Sequence, residues 1–169
     1  VRGSLRLSGQ RCDAISRVIV VDRVADGLID AILEEMSAWP VGDPRDRNTK
    51  VGPLIEELAV HRVRSMVMEA RDRGASLLKG GKTYKTYHEP TLLDNVPRDS
   101  LLATEETFGP IIPVIRVEDE GEAIKAANEV RYGLDAAVFT SDLKKVWRAF
   151  SELEVGTLVV NDAPDHGVG

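Results

Sequence analysis

Ile111-Ile112-Pro113-Val114-Ile115-Arg116-Val117 is an apolar run broken by a single charge, and its alternation with the segments after it decides the fold. A run this short and this rich in β-branched residues reads as a strand. Glu120 to Val130 then carries helical periodicity, and Ala136 to Thr140 is strand-like again. Leu143 to Leu153 returns to helix, with Val146, Trp147 and Phe150 on its inward side, and Thr157 to Val160 is a last strand. Strands alternating with helices predict an α/β fold, a mostly parallel sheet with flanking helices, because a parallel connection needs a crossover long enough to hold a helix. Ligands on such sheets gather beyond the carboxyl ends of the strands.

Working back toward the amino terminus, Arg17 to Val21 is β-branched and apolar, and it predicts another strand, this one buried on both faces. Leu28, Ile29, Ile32, Leu33 and Met36 share one helical face that ends before Pro40. A turn-rich passage from Gly42 to Pro53 leads to a second helix with Ile55, Leu58, Ala59, Val63, Met66, Val67 and Ala70 inward and Gly74 as its C-cap. Short strands are expected near Pro90 to Asn95. Ser141 or Asp142 suits the N-cap of the helix beginning at Leu143, and Glu118-Asp119-Glu120 suits a helix start, where acids favour the positive end of the dipole. Asn161 to Gly169 leaves a strand end without a closing element, so the chain reads as part of something larger.

Composition narrows the function classes. The 169 residues are about the size of one domain. With 43% hydrophobic and 30% charged residues and no long apolar run, no membrane span is expected. A net charge of -6 without any dense Lys/Arg segment argues against nucleic acid as a partner. Small anionic substrates stay open, since one local Arg outweighs global charge at contact distance. The first residues lack the apolar core of a secretory signal, and a single cysteine forms no internal disulfide; both point to the cytoplasm. His61 falls on the exposed side of a helix and His88 in a loop, so neither suggests a metal ligand, and no metal is expected.

That cysteine, Cys12, stands in Gly9-Gln10-Arg11-Cys12, where glycine permits close backbone approach and an adjacent guanidinium favours the nucleophilic thiolate. The residues alone leave open a small buried hydrophobe. The same holds for Glu105-Glu106-Thr107-Phe108-Gly109-Pro110, which by itself is a solvated turn beside a core phenylalanine.

Taken together, these two segments resemble the aldehyde dehydrogenase superfamily. Gly42-Asp43-Pro44, Val51-Gly52-Pro53-Leu54-Ile55, Pro90-Thr91, Tyr132-Gly133-Leu134 with Val138-Phe139-Thr140, and Gly156 with Asn161 come in the family's order, so the match covers nearly the whole chain. The resemblance implies an aldehyde dehydrogenase catalytic-domain fold. In it Cys12 is the nucleophile that captures an aldehyde as a thiohemiacetal on the way to a thioester and then an acid, its backbone N–H serving as one oxyanion donor. Glu106 is implied to accept hydrogen bonds from the nicotinamide ribose, Phe108 to pack near the ring, and NADP or NAD to be the cofactor of the parent enzyme. Gly-Gln-Arg-Cys-Asp-Ala resembles the non-phosphorylating glyceraldehyde-3-phosphate dehydrogenases, which makes glyceraldehyde 3-phosphate the expected aldehyde and Arg11 part of its phosphate site. His166 is the candidate for a second basic contact to the substrate.

The resemblance further implies that the glycine-rich dinucleotide-binding region, the general base and a side-chain oxyanion donor precede Val1, and that an oligomerisation arm comes after Gly169. Residues 1–169 are thus expected to be a truncated catalytic domain with the cofactor-binding domain absent, binding no cofactor and inactive as a dehydrogenase in isolation, from a homo-oligomeric parent. The alternative is a non-enzymatic folding or oligomerisation fragment of the same family.

Overall fold

The computed structural model describes residues 1–164. One helical turn, α1 (Arg2–Leu5), and a tight turn through Arg6–Gly9 precede the first strand, β1 (Val18–Val21), which runs directly into α2 (Asp22–Met36). After the turn-rich passage come α3 (Glu57–Asp72) and β2 (Ser76–Lys79), then the small hairpin of β3 (Thr83–Tyr84) and β4 (Tyr87–His88). Next are β5 (Thr91–Asp94), the short α4 (Leu101–Thr104) and β6 (Ile111–Val117). The chain continues through α5 (Glu120–Asn128), β7 (Asp135–Val138), α6 (Leu143–Glu152) and β8 (Thr157–Val160).

The main sheet has the order β1-β6-β5-β2. β1 and β5 flank β6 in parallel, with Val18 opposite Val114 and Thr91 opposite Ile111, while β2 joins the far edge antiparallel. Strand alternation sorts the side chains of β6 onto two faces. Ile111, Ile115 and Val117 join Leu93 under Val60, Val63, Met66, Val67 and Ala70 of α3; Ile112 and Val114 join Leu92 and Val20 under Ala25, Ile29, Ile32 and Met36 of α2. The strand covered on both faces is therefore β6, whereas the sequence predicts such cover for Arg17 to Val21.

Arg116 interrupts the apolar run because it lies on the α2 side. Its guanidinium donates to Asp94 of β5 (2.9 and 3.0 Å), to Asp22 (2.9 Å) and to Asp26 (2.6 Å) of α2. These three carboxylates raise its pKa above the ordinary arginine value, the hydrogen bonds to Asp94 foremost.

Several expectations need correction. β1 is an edge strand of the main sheet, and of its residues only Val20 is buried. α3 begins at Glu57, so Ile55 lies before the helix, and Ile55 and Leu58 are 83% and 70% exposed instead of inward. β7 and β8 pair in parallel with each other and form a sheet apart from the main one. α6, which crosses between them, turns Trp147 and Phe150 outward at 60% and 66% exposure, and only Ala149 is buried. The two caps agree with the sequence: Asp142 Oδ1 accepts from the Lys144 N–H at 2.8 Å, and Asp119 Oδ1 from the Glu122 N–H at 2.9 Å.

His88 is not in a loop but in β4, and it is buried. Its Nδ1 donates to the Glu89 carbonyl at 2.8 Å, while Nε2 has no partner among the described residues. Burial therefore holds its pKa below the ordinary histidine value, against a smaller opposing pull from the Glu89 carbonyl. Above the unfolded histidine pKa of about 6.5 both states are neutral at this site; as pH falls below it the unfolded chain takes up the proton first. Stability is expected to drop as pH is lowered from about 7.5 to about 5.5, and to drop less steeply in a His88→Gln variant. Urea unfolding midpoints across that range check both slopes.

Candidate active site

The turn before Cys12 has an unusual backbone. Leu7, Ser8 and Gly9 have φ of 51°, 58° and 69° in succession, a left-handed path that costs non-glycine residues about 1–2 kcal/mol each. It is held from outside. Ser8 Oγ donates to the Gly52 carbonyl at 3.0 Å, Gln10 Nε2 donates to the Pro53 carbonyl at 3.3 Å, and Gln10 Oε1 accepts from the Ile55 N–H at 2.8 Å. Cys12 then stands exposed, two residues beyond this anchorage. Beside it Arg11 Nε pairs with Asp13 Oδ1 at 3.1 Å, with both side chains largely buried.

The second loop treats its two glutamates differently. Glu105 Oε2 accepts from the Tyr132 hydroxyl and from Arg131 Nη2, each at 2.7 Å, and these bonds hold its pKa below the usual carboxylate range, Tyr132 first. Glu106 is a half-buried residue whose carboxylate has neither a hydrogen bond nor an ion pair among the described residues; only its carbonyl is engaged, by Arg62 Nη1 of α3 at 3.1 Å. Arg62 Nη2 donates to the next carbonyl, that of Thr107. Phe108 takes a left-handed φ of 45° with its side chain 39% exposed. A bulky residue in this region of backbone space is strained, and such strain persists only where surrounding contacts impose it.

The two loops meet backbone to backbone. A Cβ built on Gly9 would stand 2.2 Å from the Gly109 carbonyl oxygen, and one built on Gly109 would stand 2.7 Å from Val63 Cγ2 of α3. Cys12 is thus brought onto the same side of the molecule as Glu106 and Phe108. That side is the amino end of the parallel strands, since the first loop leads into β1 and the second into β6. The expectation of a site at the carboxyl ends is not met by these residues: they are placed by strained loops resting on α3 and not by helix starts that succeed strands. His166 lies outside the described residues. Among the described residues no group of three His, Cys, Asp or Glu side chains could hold a metal ion, and no helix is long and apolar enough to cross a membrane.

Several motif residues serve the backbone. The Gly133 carbonyl accepts from the Gly156 N–H at 2.8 Å, and a Cβ on Gly133 would meet the Glu154 carbonyl at 2.4 Å. Asn161 pairs by its side-chain amide with both backbone groups of Thr140, at 2.9 and 3.0 Å. Sequence reading misses Arg62 and Asp13, whose partners are distant carbonyls in the one case and a neighbouring charge in the other. Asp13 has a signal that could have found it, because an acid two residues after an arginine is within pairing reach.

An α/β domain with an exposed thiol loop braced on a carboxylate-bearing loop belongs to a defined class. The aldehyde dehydrogenase family model matches residues 1–168, and the chain belongs to that family. It is 38% identical over 167 residues to the NADP-dependent glyceraldehyde-3-phosphate dehydrogenase of Streptococcus equinus, covering 99% of this chain and 35% of the relative. It is 39% identical over 163 residues to the lactaldehyde dehydrogenase of Methanocaldococcus jannaschii, covering 96% of this chain and 35% of that one. The crystal structure of NADP-dependent glyceraldehyde-3-phosphate dehydrogenase from Bacillus halodurans, complexed with NADP, superposes with a TM-score of 0.94 at 40% identity, covering 98% of this chain and 35% of that chain. The chain therefore spans about a third of the length of these relatives.

The junction predicts unequal costs for two glycine substitutions. Gly9→Ala is expected to destabilise by about 1–3 kcal/mol, because both the steric overlap and the left-handed φ oppose it. Gly27→Ala, on α2 with nothing within 4 Å of the added Cβ, is expected to stabilise by roughly 0.5–1 kcal/mol. Chemical denaturation of the two variants measures the difference.

Proposed function

We propose that the chain supplies the thiol and the nicotinamide-ribose contact of an NADP- or NAD-dependent aldehyde dehydrogenase acting on glyceraldehyde 3-phosphate. One observation carries this reading: in the pair Glu105-Glu106, the first carboxylate is held through Oε2 by Arg131 and Tyr132, while the second, on a half-buried residue, has no partner among the described residues. A carboxylate without protein donors keeps both oxygens available to a ligand, and two carboxylate oxygens suit the two adjacent hydroxyls of a ribose. The exposed ring of Phe108, two residues on, suits contact with a flat heteroaromatic ring. The residues present thus fit a nicotinamide nucleotide, with Glu106 and Phe108 as the contacts.

In this reading Cys12 Sγ attacks the aldehyde carbon; the carbon–sulfur bond forms as the carbonyl π electrons move onto oxygen, and the Cys12 N–H donates to that oxygen. A bound nicotinamide supplies the two-electron acceptor for the aldehyde C–H. Water then displaces the thiolate from the resulting thioester, giving the acid and restoring Cys12. The braced loop contributes by fixing where the sulfur stands before the aldehyde arrives.

Arg11 is the proposed phosphate contact, and Asp13 qualifies it. A substrate phosphate must share the guanidinium with Asp13, because Arg11 Nε already faces that carboxylate. A guanidinium carries five N–H donors, enough to serve more than one acceptor. The relatives themselves divide between a phosphorylated aldehyde and lactaldehyde in their names, and Arg11 is proposed as the group that favours the phosphorylated one.

A second reading, in which the chain acts by association, rests on α6. Leu143, Trp147 and Phe150 are exposed there, the two rings stacked edge-on with centroids 5.8 Å apart, and exposed aromatic clusters of this kind mark contact surfaces.

Alkylation of Cys12 in the native chain separates the readings. Glyceraldehyde 3-phosphate is expected to slow it by about tenfold more than glyceraldehyde does, the difference one charge-assisted bidentate contact makes, and Arg11→Gln should erase that advantage. Alkylation at one rate with either aldehyde or none would sink the enzymatic reading.

A further inference from the structure

Helix α3 touches both loops of the candidate site. Its approach holds the Cys12 loop, through Gln10 on the Pro53 carbonyl and the Ile55 N–H. Its second turn holds the other loop: Arg62 donates to the carbonyls of Glu106 and Thr107, and Val63 closes on Gly109. Gly109 in turn is the surface on which Gly9 rests. Arg62 thus engages two successive carbonyls immediately before the strained Phe108, and it also reaches Met66 Sδ at 3.6 Å, one turn along the same helix.

We propose that Arg62 is a positioning residue for this site: by clamping the carbonyls of Glu106 and Thr107 it fixes residues 106–109, and through the Gly109–Gly9 contact it fixes the loop that presents Cys12. The role rests on the reading that Cys12 and Glu106 serve one reaction. Its physical basis is the guanidinium, whose several N–H donors on one rigid plane let Nη1 and Nη2 each take one of the two carbonyls. A single ammonium reaches one carbonyl well and the other poorly. Without the clamp, the left-handed backbone at Phe108 loses a restraint that opposes its strain, and the backbone under Gly9 is free to move.

Amide hydrogen exchange resolved by peptide tests this directly in the 169-residue chain. Arg62→Ala should raise exchange about tenfold in residues 105–110 and, coupled to it, in residues 6–13, the change expected when a hydrogen bond from a charged donor is lost locally. Exchange in β2 and β5 should not move, Arg62→Lys should restore part of the protection in both segments, and Arg64→Ala, exposed on the same helix, should leave all of it intact. Loosening of 105–110 with 6–13 unchanged, no loosening of either, or an equal rise across β2 and β5 would each overturn the proposal. Should Arg62→Ala fail to fold, Arg62→Met keeps the aliphatic stem and is measured in the same way. The same preparations report aldehyde protection of Cys12, which is expected to weaken in Arg62→Ala and to recover in Arg62→Lys. If no aldehyde protects Cys12 even in the parent chain, the enzymatic reading fails while the exchange data still decide whether Arg62 couples the loops.

Discussion

The candidate site depends on one place where two backbones come closer than any side chain allows. Gly9 and Gly109 are in contact through bare backbone, and a Cβ on Gly9 would overlap the Gly109 carbonyl at 2.2 Å. The proposed site residues are hung from this junction: Cys12 three residues beyond one glycine, Phe108 and Glu106 one and three residues before the other. A contact of this kind has no slack, because it is made by main chain on both sides and cannot be relieved by a rotamer change. It accounts for the left-handed φ values that gather at Leu7, Ser8 and Phe108. That strain sits next to the exposed thiol and the unpartnered carboxylate, outside the strands of the main sheet.

α3 converts this local contact into a rigid frame. It buries Val60, Val63, Met66, Val67 and Ala70 against the sheet face formed by Ile111, Ile115 and Leu93, so its axis is fixed by the core. What the helix holds is therefore fixed as well. Gln10 reaches the segment that enters it, and Arg62 and Val63 of its second turn reach the other loop. The opposite edge of the second loop is held by Glu105 on Arg131 and Tyr132, which belong to the turn before β7. The site is consequently a compromise among the main sheet, one helix and the small β7–β8 sheet, although only the first has a closed core.

The range of each interaction decides how much of this is legible in the sequence. β6 is readable to the residue as a strand, since an apolar β-branched run leaves a continuous signature, whereas its burial on both faces is not, because the sequence points to Arg17 to Val21 for that. The caps at Asp119 and Asp142 are readable because a cap is a local bond. The motifs are readable as a family pattern, yet their division of labour is not: Gly133, Gly156 and Asn161 close backbone turns, while Glu106 keeps its carboxylate unpaired. Periodicity gives α6 an apolar face and cannot say whether anything covers it, so it places Trp147 and Phe150 inward where the described residues leave them outward. Arg62 carries no signal at all. Its partners are carbonyls 44 and 45 positions away, and no residue-type pattern encodes a backbone acceptor.

The contrast between Glu105 and Glu106 is where structure adds most to sequence. Two identical side chains in succession point to opposite environments because the backbone is extended there, Glu105 having φ of -118° and ψ of 155°, and extended backbone sends neighbours to opposite sides. One falls toward Arg131 and Tyr132 and is satisfied; the other is turned away from that pair. Their chemical fates then diverge without any difference in residue type. A carboxylate held by two donors must give up those bonds to turn toward a ligand, whereas one without protein donors keeps both oxygens available. A ligand that brings two hydroxyl donors to Glu106 completes the pairing the fold has left open. That asymmetry, set by one extended residue between Thr104 and Glu106, is the physical reason to read the second glutamate, and not the first, as part of a binding site.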